Sequence, residues 1–125
     1  MGSLRTLKNN GVLYLAADQV ASKREIKVPF FGENVPTFRG PVVLHYRTGA
    51  PLVPIYSFRE DGKNKAVIAE PLNDLTGDLE KDLTFVNKTL ERIVCLHPES
   101  WFWFHRRWKK KANRYSDSRS PGPYT

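Results

Sequence analysis

The most constraining stretch of this chain follows Gly77, where Leu79, Leu83, Val86, Leu90 and Ile93 recur at close to heptad spacing. Glu80, Lys81, Lys88 and Arg92 fall mostly off that stripe, so one side is apolar and the other is charged. Such a pattern predicts an amphipathic helix with its stripe on a core. Pro98 ends it, because a residue before proline, here His97, is pushed out of the helical region. Whatever else the chain does, it must supply partners for that stripe.

Those partners are expected upstream. Gly11 to Ala17 is a continuous apolar run, the pattern of a strand buried on both faces, entered almost directly from the start of the chain. Thr37 is placed to cap a helix running to about Thr48, with Pro41 in its first turn and Gly49 as its stop. Val42, Val43 and Tyr46 form its stripe, and His45 lies beside it as a packing residue. Pro51 to Phe58 reads as a second buried strand that begins near Pro54, since proline is awkward in a central strand. Strand, helix, strand predicts a right-handed crossover and a parallel pair. Asp61-Gly62 then turns the chain into a third strand, Lys65 to Glu70, antiparallel to the second. The fold class expected is α/β: a small mixed sheet with a β-α-β crossover, an antiparallel hairpin and a C-terminal amphipathic helix.

Between the first strand and the first helix, Val20 to Phe38 reads as a long, mostly irregular connection. It holds Val28-Pro29-Phe30-Phe31-Gly32, and two adjacent phenylalanines argue against disorder because exposing both is costly. Two readings stand together: a loop that folds over a pocket or touches lipid, and a loop packed on its own core. Asp18-Gln19 has a similar pair of readings. It lies at the C-terminal end of the expected strand, where open α/β sheets bind ligands, and an aspartate there also starts loops by bonding nearby backbone.

After Pro98 the character changes. Trp101, Trp103 and Trp108, with Phe102 and Phe104, are followed by a block of cations. As a helix, Trp101, Phe104, His105 and Trp108 share a face; as a strand, Trp101, Trp103 and His105 oppose Phe102 and Phe104. One function for the stretch is a plug closing the core, with its cations solvated. The other is contact with phosphate or lipid headgroup where apolar surface ends. From Trp101 onward, Arg106, Arg107, Lys109, Lys110, Lys111, Arg114 and Arg119 face only Asp117, so this end carries nearly all of the net charge of +7. That patch calls for an anionic partner: a phosphorylated lipid, nucleic acid or an acidic protein. Residues 112–125, ending Ser-Asp-Ser-Arg-Ser-Pro-Gly-Pro-Tyr-Thr, read as a disordered tail.

The residue inventory excludes several chemistries. The single Cys95 rules out an intramolecular disulfide and a cysteine-based metal cluster, and reads as a small core residue. No glycine-rich phosphate loop, GxSxG elbow or HExxH metal site occurs. A histidine with a carboxylate five positions on could serve as a base held by its acid, but that offset from His45, His97 and His105 gives Ala50, Phe102 and Lys110. No run approaches the ~20 apolar residues of a membrane span.

Three stretches, in this order and spacing, resemble the lipid A biosynthesis acyltransferase family, the bacterial lauroyl and myristoyl transferases. They are Asp18-Gln19; Val28-Pro29-Phe30-Phe31-Gly32 leading to Thr37 and Gly40; and Pro98-Glu99 leading to Trp103-Phe104-His105-Arg106-Arg107-Trp108-Lys109. Thr48-Gly49-Ala50-Pro51 through Pro54, and Asn87 with Leu90-Glu91, also look like family positions. The resemblance runs from about Gly11 to Lys109. It implies that residues 1–111 are the C-terminal part of a larger acyltransferase fold. Such an enzyme moves a fatty acyl chain from acyl carrier protein to a lipid A precursor, or another membrane glycolipid, at the cytoplasmic face of the bacterial inner membrane. The resemblance implies no cofactor and no metal. The family's activating histidine and its acidic partner, like its membrane anchor, lie upstream of the region that matches. The polypeptide alone is therefore expected to be peripheral and inactive, with no catalytic residue of its own.

The substrate-binding residues then expected are Asp18 and Gln19 near the reacting centre, Phe30 and Phe31 bordering acyl chain or bilayer, and Gly32 and Thr37 from the same motif. His105, Arg106, Arg107 and Lys109 would meet lipid phosphates, the acidic carrier or the anionic membrane surface, where arginine offers a bidentate fork. Two rivals belong to other classes. A nucleic-acid module is disfavoured because aromatics and cations are segregated here, where single-strand binders spread both along one groove. A non-catalytic structural partner is the second. Half of a larger fold also predicts exposed sheet edge, exposed apolar surface and self-association.

Overall fold

A computed structural model describes residues 2–16 and 22–100. Its elements are helix α1 (Gly2–Lys8), strands β1 (Lys27–Phe30) and β2 (Glu33–Pro36), helix α2 (Gly40–Thr48), strands β3 (Ile55–Glu60) and β4 (Lys63–Ile68), helix α3 (Leu79–Leu96) and a 3-10 turn at Pro98–Ser100. The class is mixed α/β, with an antiparallel hairpin and a C-terminal amphipathic helix as expected. Among the described residues, pairing is antiparallel throughout, in two separate two-stranded sheets, β1-β2 and β3-β4.

Helix α3 is the organising element. The Asp78 carboxylate caps it by accepting from the Lys81 N–H at 3.1 Å, and Glu80 and Asp82 in the first turn suit the positive end of the helix dipole. Its end is His97, whose N–H still reaches the Ile93 carbonyl at 3.2 Å before Pro98 breaks the pattern. Leu83 packs with Val28 of β1 and Val42 of α2 to form the core, flanked by Ile26, Leu52, Leu79 and Val86. The buried face is rotated from the purely apolar stripe: Asp82, Leu83, Asn87 and Val94 are the buried residues, and Cys95 is exposed rather than in the core. A side chain next to a buried one on a helix points about 100° away, so Val94 inward puts Cys95 outward.

The stretch expected as a long irregular connection is largely a hairpin. β1 and β2 pair Val28 with Val35 and Phe30 with Glu33, leaving a two-residue loop of Phe31 and Gly32. Val28, Phe30 and Val35 are buried. Pro29 is tolerated because a two-stranded ribbon has an unpaired side where its absent N–H costs nothing.

The first strand expected, Gly11 to Ala17, is not formed: residues 11–16 carry no strand pairing, and Ala17 lies outside the described residues. Leu13 and Leu15 are half-buried while Val12 and Tyr14 are 91% and 75% exposed, so the run presents one side rather than two. The parallel crossover that depended on it is accordingly not seen among the described residues. Residues 2–8, expected to lead straight into that strand, form α1, which packs on α2.

Helix α2 begins at Gly40 with Arg39 at the cap position and Pro41 in the first turn, and Gly49 closes it in the left-handed conformation at φ 71°. Thr37 is not its cap. The Thr37 N–H instead extends the β1-β2 ladder to the Ile26 carbonyl at 2.9 Å. Strand β3 starts directly after Pro54, and the Asp61-Gly62 turn returns the chain as β4. This hairpin is half-exposed, not buried. It is held through Phe58, whose ring stacks on His97 at 3.7 Å and 9°, while Ile55 and Ile68, paired across the strands, are 51% and 74% exposed.

Candidate functional site

Two stretches far apart in the chain meet where α3 crosses the β1-β2 hairpin. Asn87, 1% exposed, donates from Nδ2 to the Pro29 carbonyl and to Thr37 Oγ1, both at 3.1 Å. Thr37 is buried too, and its hydroxyl passes a hydrogen bond on to the Val35 carbonyl at 3.1 Å. One turn further along α3, Glu91 Oε1 accepts from the Phe31 N–H at 2.6 Å. A polar residue inside an apolar stripe is costly unless satisfied, and Asn87 is satisfied by a hairpin carbonyl and by the buried Thr37 hydroxyl. α3 therefore fixes the hairpin's direction as well as its burial.

At the tip, Phe31 and Gly32 both have positive φ, 50° and 78°, the signature of a type I′ turn. Open space surrounds the position a Cβ would take on Gly32, so conformation alone demands the glycine. Phe30 is fully buried and meets Phe31 edge-on at 4.8 Å and 63°, while Phe31 is 39% exposed. Of the four hairpin residues expected at a binding site, Phe30 and Thr37 face inward and Phe31 and Gly32 lie at the surface. Phe38, 42% exposed, and the Arg39–Glu25 ion pair at 3.0 Å follow the hairpin. Asp18, Gln19, His105, Arg106, Arg107 and Lys109, with the rest of the aromatic-basic stretch and residues 112–125, lie outside the described residues.

A second polar cluster orients α2 against α3. Asp82, 1% exposed, accepts from Thr76 N and Oγ1 through Oδ1 at 2.8 and 2.9 Å, and from Gly77 N at 2.9 Å and the Tyr46 hydroxyl through Oδ2. Burial pushes the Asp82 carboxyl up, but the hydrogen bonds from Tyr46, Thr76 and Gly77 outweigh it and hold the group below the usual aspartate range. The Tyr46 phenol is pushed up to about 12, first by desolvation, then by its bond to Asp82 and the nearby negative charges.

Other features do not assemble chemistry. His45 Nδ1 donates to the Ala50 carbonyl at 2.7 Å, which fits a packing residue closing the end of α2. A gap of about 50 Å³ beside it, bordered by Leu7, Leu13 and Leu44, is far below the roughly 300 Å³ of small-molecule sites. His97 Nδ1 lies 3.7 Å from Glu99 Oε1, too far for the hydrogen bond that would orient a catalytic imidazole. Among the described residues, no group of three His, Cys, Asp or Glu could hold a metal ion, and no helix is long and apolar enough to cross a membrane.

Sequence reasoning marked Asn87 and Glu91 as family positions without giving them a task, passed over Asp82, and took Tyr46 only as part of an apolar stripe. The available signal was their offset: Asn87 stands one turn after Leu83, on the side that faces β1.

The family model described as bacterial lipid A biosynthesis acyltransferase matches residues 2–110. The lipid A biosynthesis lauroyltransferase of Escherichia coli (strain K12) is 32% identical over 115 residues, covering 88% of this chain and 38% of that protein. The lipid A biosynthesis palmitoleoyltransferase of the same organism is 28% identical, over 88% of this chain and 37% of its own length. A phosphatidylinositol mannoside acyltransferase of Mycobacterium tuberculosis (strain ATCC 25618 / H37Rv) is 29% identical, over 82% and 32%. The chain thus spans less than two fifths of the length of these relatives. Matched across nearly all of its described length, the chain belongs to the bacterial lipid A biosynthesis acyltransferase family.

Proposed function

We propose that this chain is the substrate-positioning, C-terminal portion of an enzyme that transfers a fatty acyl group to a hydroxyl of a membrane glycolipid, in the first instance a lipid A precursor. The observation that carries this reading is the meeting of two motif stretches: the Pro29-to-Thr37 hairpin is gripped by Asn87 and Glu91 of α3. Residues spaced this far apart and joined by hydrogen bonds to backbone serve to place a surface accurately, which is what bringing two reactants together requires.

Acyl transfer needs a base to take the proton of the attacking hydroxyl and donors to stabilise the tetrahedral oxyanion. The described residues hold no imidazole oriented by a carboxylate within hydrogen-bonding reach, and we assign the base to the part of the family fold outside this chain's match. Phe31 borders the acyl chain, with Phe30 beneath it as support. Asp18 and Gln19 lie near the reacting centre. His105, Arg106, Arg107 and Lys109 bind lipid phosphates, the anionic cytoplasmic face of the inner membrane, or the acyl carrier protein that donates the chain. The phosphatidylinositol mannoside relative favours a broader acceptor class, membrane glycolipids in general, over lipid A alone.

The test is direct. The purified chain is incubated with acylated carrier protein and a lipid A precursor, and products are read by mass spectrometry; binding to the same lipid and to a random oligonucleotide is measured beside it. The expected outcome is glycolipid binding in preference to the oligonucleotide, with no acyl transfer. Clear transfer would refute the assignment of the base elsewhere. Tighter, steeply salt-dependent binding of the oligonucleotide would overturn the lipid reading.

A further inference from the structure

Phe31 occupies a place that turn chemistry gives to asparagine, aspartate or glycine. A two-residue type I′ loop needs φ > 0 at both central positions. The β3-β4 hairpin meets that demand conventionally, with Asp61 and Gly62 at φ 51° and 73°. The β1-β2 hairpin meets it with Phe31 and Gly32 at φ 50° and 78°. Bulky residues rarely enter this region, and they persist there only when surroundings hold them, most often at functional sites. The same chain thus uses the ordinary pair where only a turn is needed, and a phenylalanine where α3 supplies the restraint.

That restraint is Glu91. Its Oε1 accepts the Phe31 N–H at 2.6 Å across sixty positions of sequence, and a carboxylate acceptor makes this a charge-assisted bond. Asn87, one turn earlier on the same helix, pins the Pro29 carbonyl at 3.1 Å, so α3 holds the hairpin on both sides of Phe30. We propose that Glu91 is a positioning residue: it holds Phe31 in the left-handed conformation, so that its ring stands at the hairpin tip as the contact for a fatty acyl chain. Glu91 acts through Phe31 and touches no reacting atom. The assignment rests on the acyl-transfer reading for the ligand, but the hold on the turn does not.

Both parts are tested on the full chain. Hydrogen exchange at the Phe31 amide is followed by NMR, and binding of the fluorescent fatty acid cis-parinaric acid is titrated, for wild type, Glu91→Ala, Glu91→Gln and Phe31→Asn. Glu91→Ala should lower protection of the Phe31 amide about tenfold and weaken the probe about fivefold; Glu91→Gln, which keeps an acceptor oxygen, should stay within about twofold on both. Phe31→Asn installs the residue the turn prefers, so its melting temperature should equal or exceed wild type while probe binding weakens about fivefold. A purely structural Glu91 would not separate fold from binding in this way. Phe31→Asn binding the probe as tightly as wild type, or a Phe31 amide equally protected in Glu91→Ala, overturns the proposal. Failure of wild type to bind the fatty acid sinks the acyl-chain contact, and amide protection then decides alone whether Glu91 sets the turn.

Discussion

Replacing Asp82 with alanine removes the acceptor for four hydrogen bonds at once: from the Tyr46 hydroxyl, the Thr76 amide and hydroxyl, and the Gly77 amide. Hydrogen bonds to a charged group are each worth about 1.5–3 kcal/mol, but they do not simply add. Thr76, Gly77 and Tyr46 are all exposed enough for water to replace part of what is lost. Discounting for that leaves a cost of about 3 kcal/mol, in the range for breaking a buried network. At about 4 °C per kcal/mol for a chain of this size, the melting temperature at pH 7 should fall by about 12 °C, and Asp82→Asn, which retains one acceptor, by about half that. The pH dependence follows from the depressed Asp82 carboxyl. A group held below its unfolded value stabilises fully above that value, near 4, and its contribution is lost as pH falls through the lower folded value. The gap between wild type and Asp82→Ala, followed by far-UV circular dichroism melts, should be constant from pH 7 to about 5 and close below about 4. A gap under 2 °C at pH 7, or one that does not narrow in acid, would refute the reasoning.

Three further outcomes follow from the same geometry. Asn87→Leu takes the donor away from the Pro29 carbonyl and the Thr37 hydroxyl and should cost about 2 kcal/mol in urea unfolding; Asn87→Asp, which sets acceptor against carbonyl, should cost more. Gly11→Ala would bring a Cβ to 2.7 Å from the Thr6 carbonyl oxygen, the same oxygen that accepts the Gly11 N–H at 2.8 Å, so α1 should loosen and trypsin should cut faster at Lys8. The Tyr46 phenol at about 12 makes one of the five tyrosines ionise late in an ultraviolet titration. Because its folded value is raised, its stabilisation is complete below about 10 and lost as pH rises toward 12, and Asp82→Ala should move this late component to lower pH.

How much of this was legible in the sequence depended on whether a local rule or a tertiary contact decided the outcome. α3 was legible because its stripe, its start after Gly77 and its stop at Pro98 are all local signals. Asp61-Gly62 announced its hairpin; Phe31-Gly32 did not, since a phenylalanine at the first turn position breaks the rule by which such hairpins are recognised. Gly11 to Ala17 misled because an apolar run fits any segment with something to bury. Leu13 and Leu15 turn toward the small gap beside α2 while Val12 and Tyr14 turn out, and strand pairing is absent from residues 11–16. Cys95 misled in the same way, lying in an apolar run but on the outer side of its helix. The family was legible from motifs, whereas the tasks of Asn87, Glu91 and Asp82 depended on backbone atoms that only folding brings near.

The measurement that reaches the central claim most directly is photolabelling of the chain by a lipid A precursor or acyl donor carrying a diazirine in its acyl chain, with adducts mapped by mass spectrometry. The account predicts adducts concentrated at Phe31 and Gly32. Labelling centred on the exposed Ile55–Ile68 face of the β3-β4 hairpin, with the β1-β2 tip unmarked in a folded sample, would contradict it.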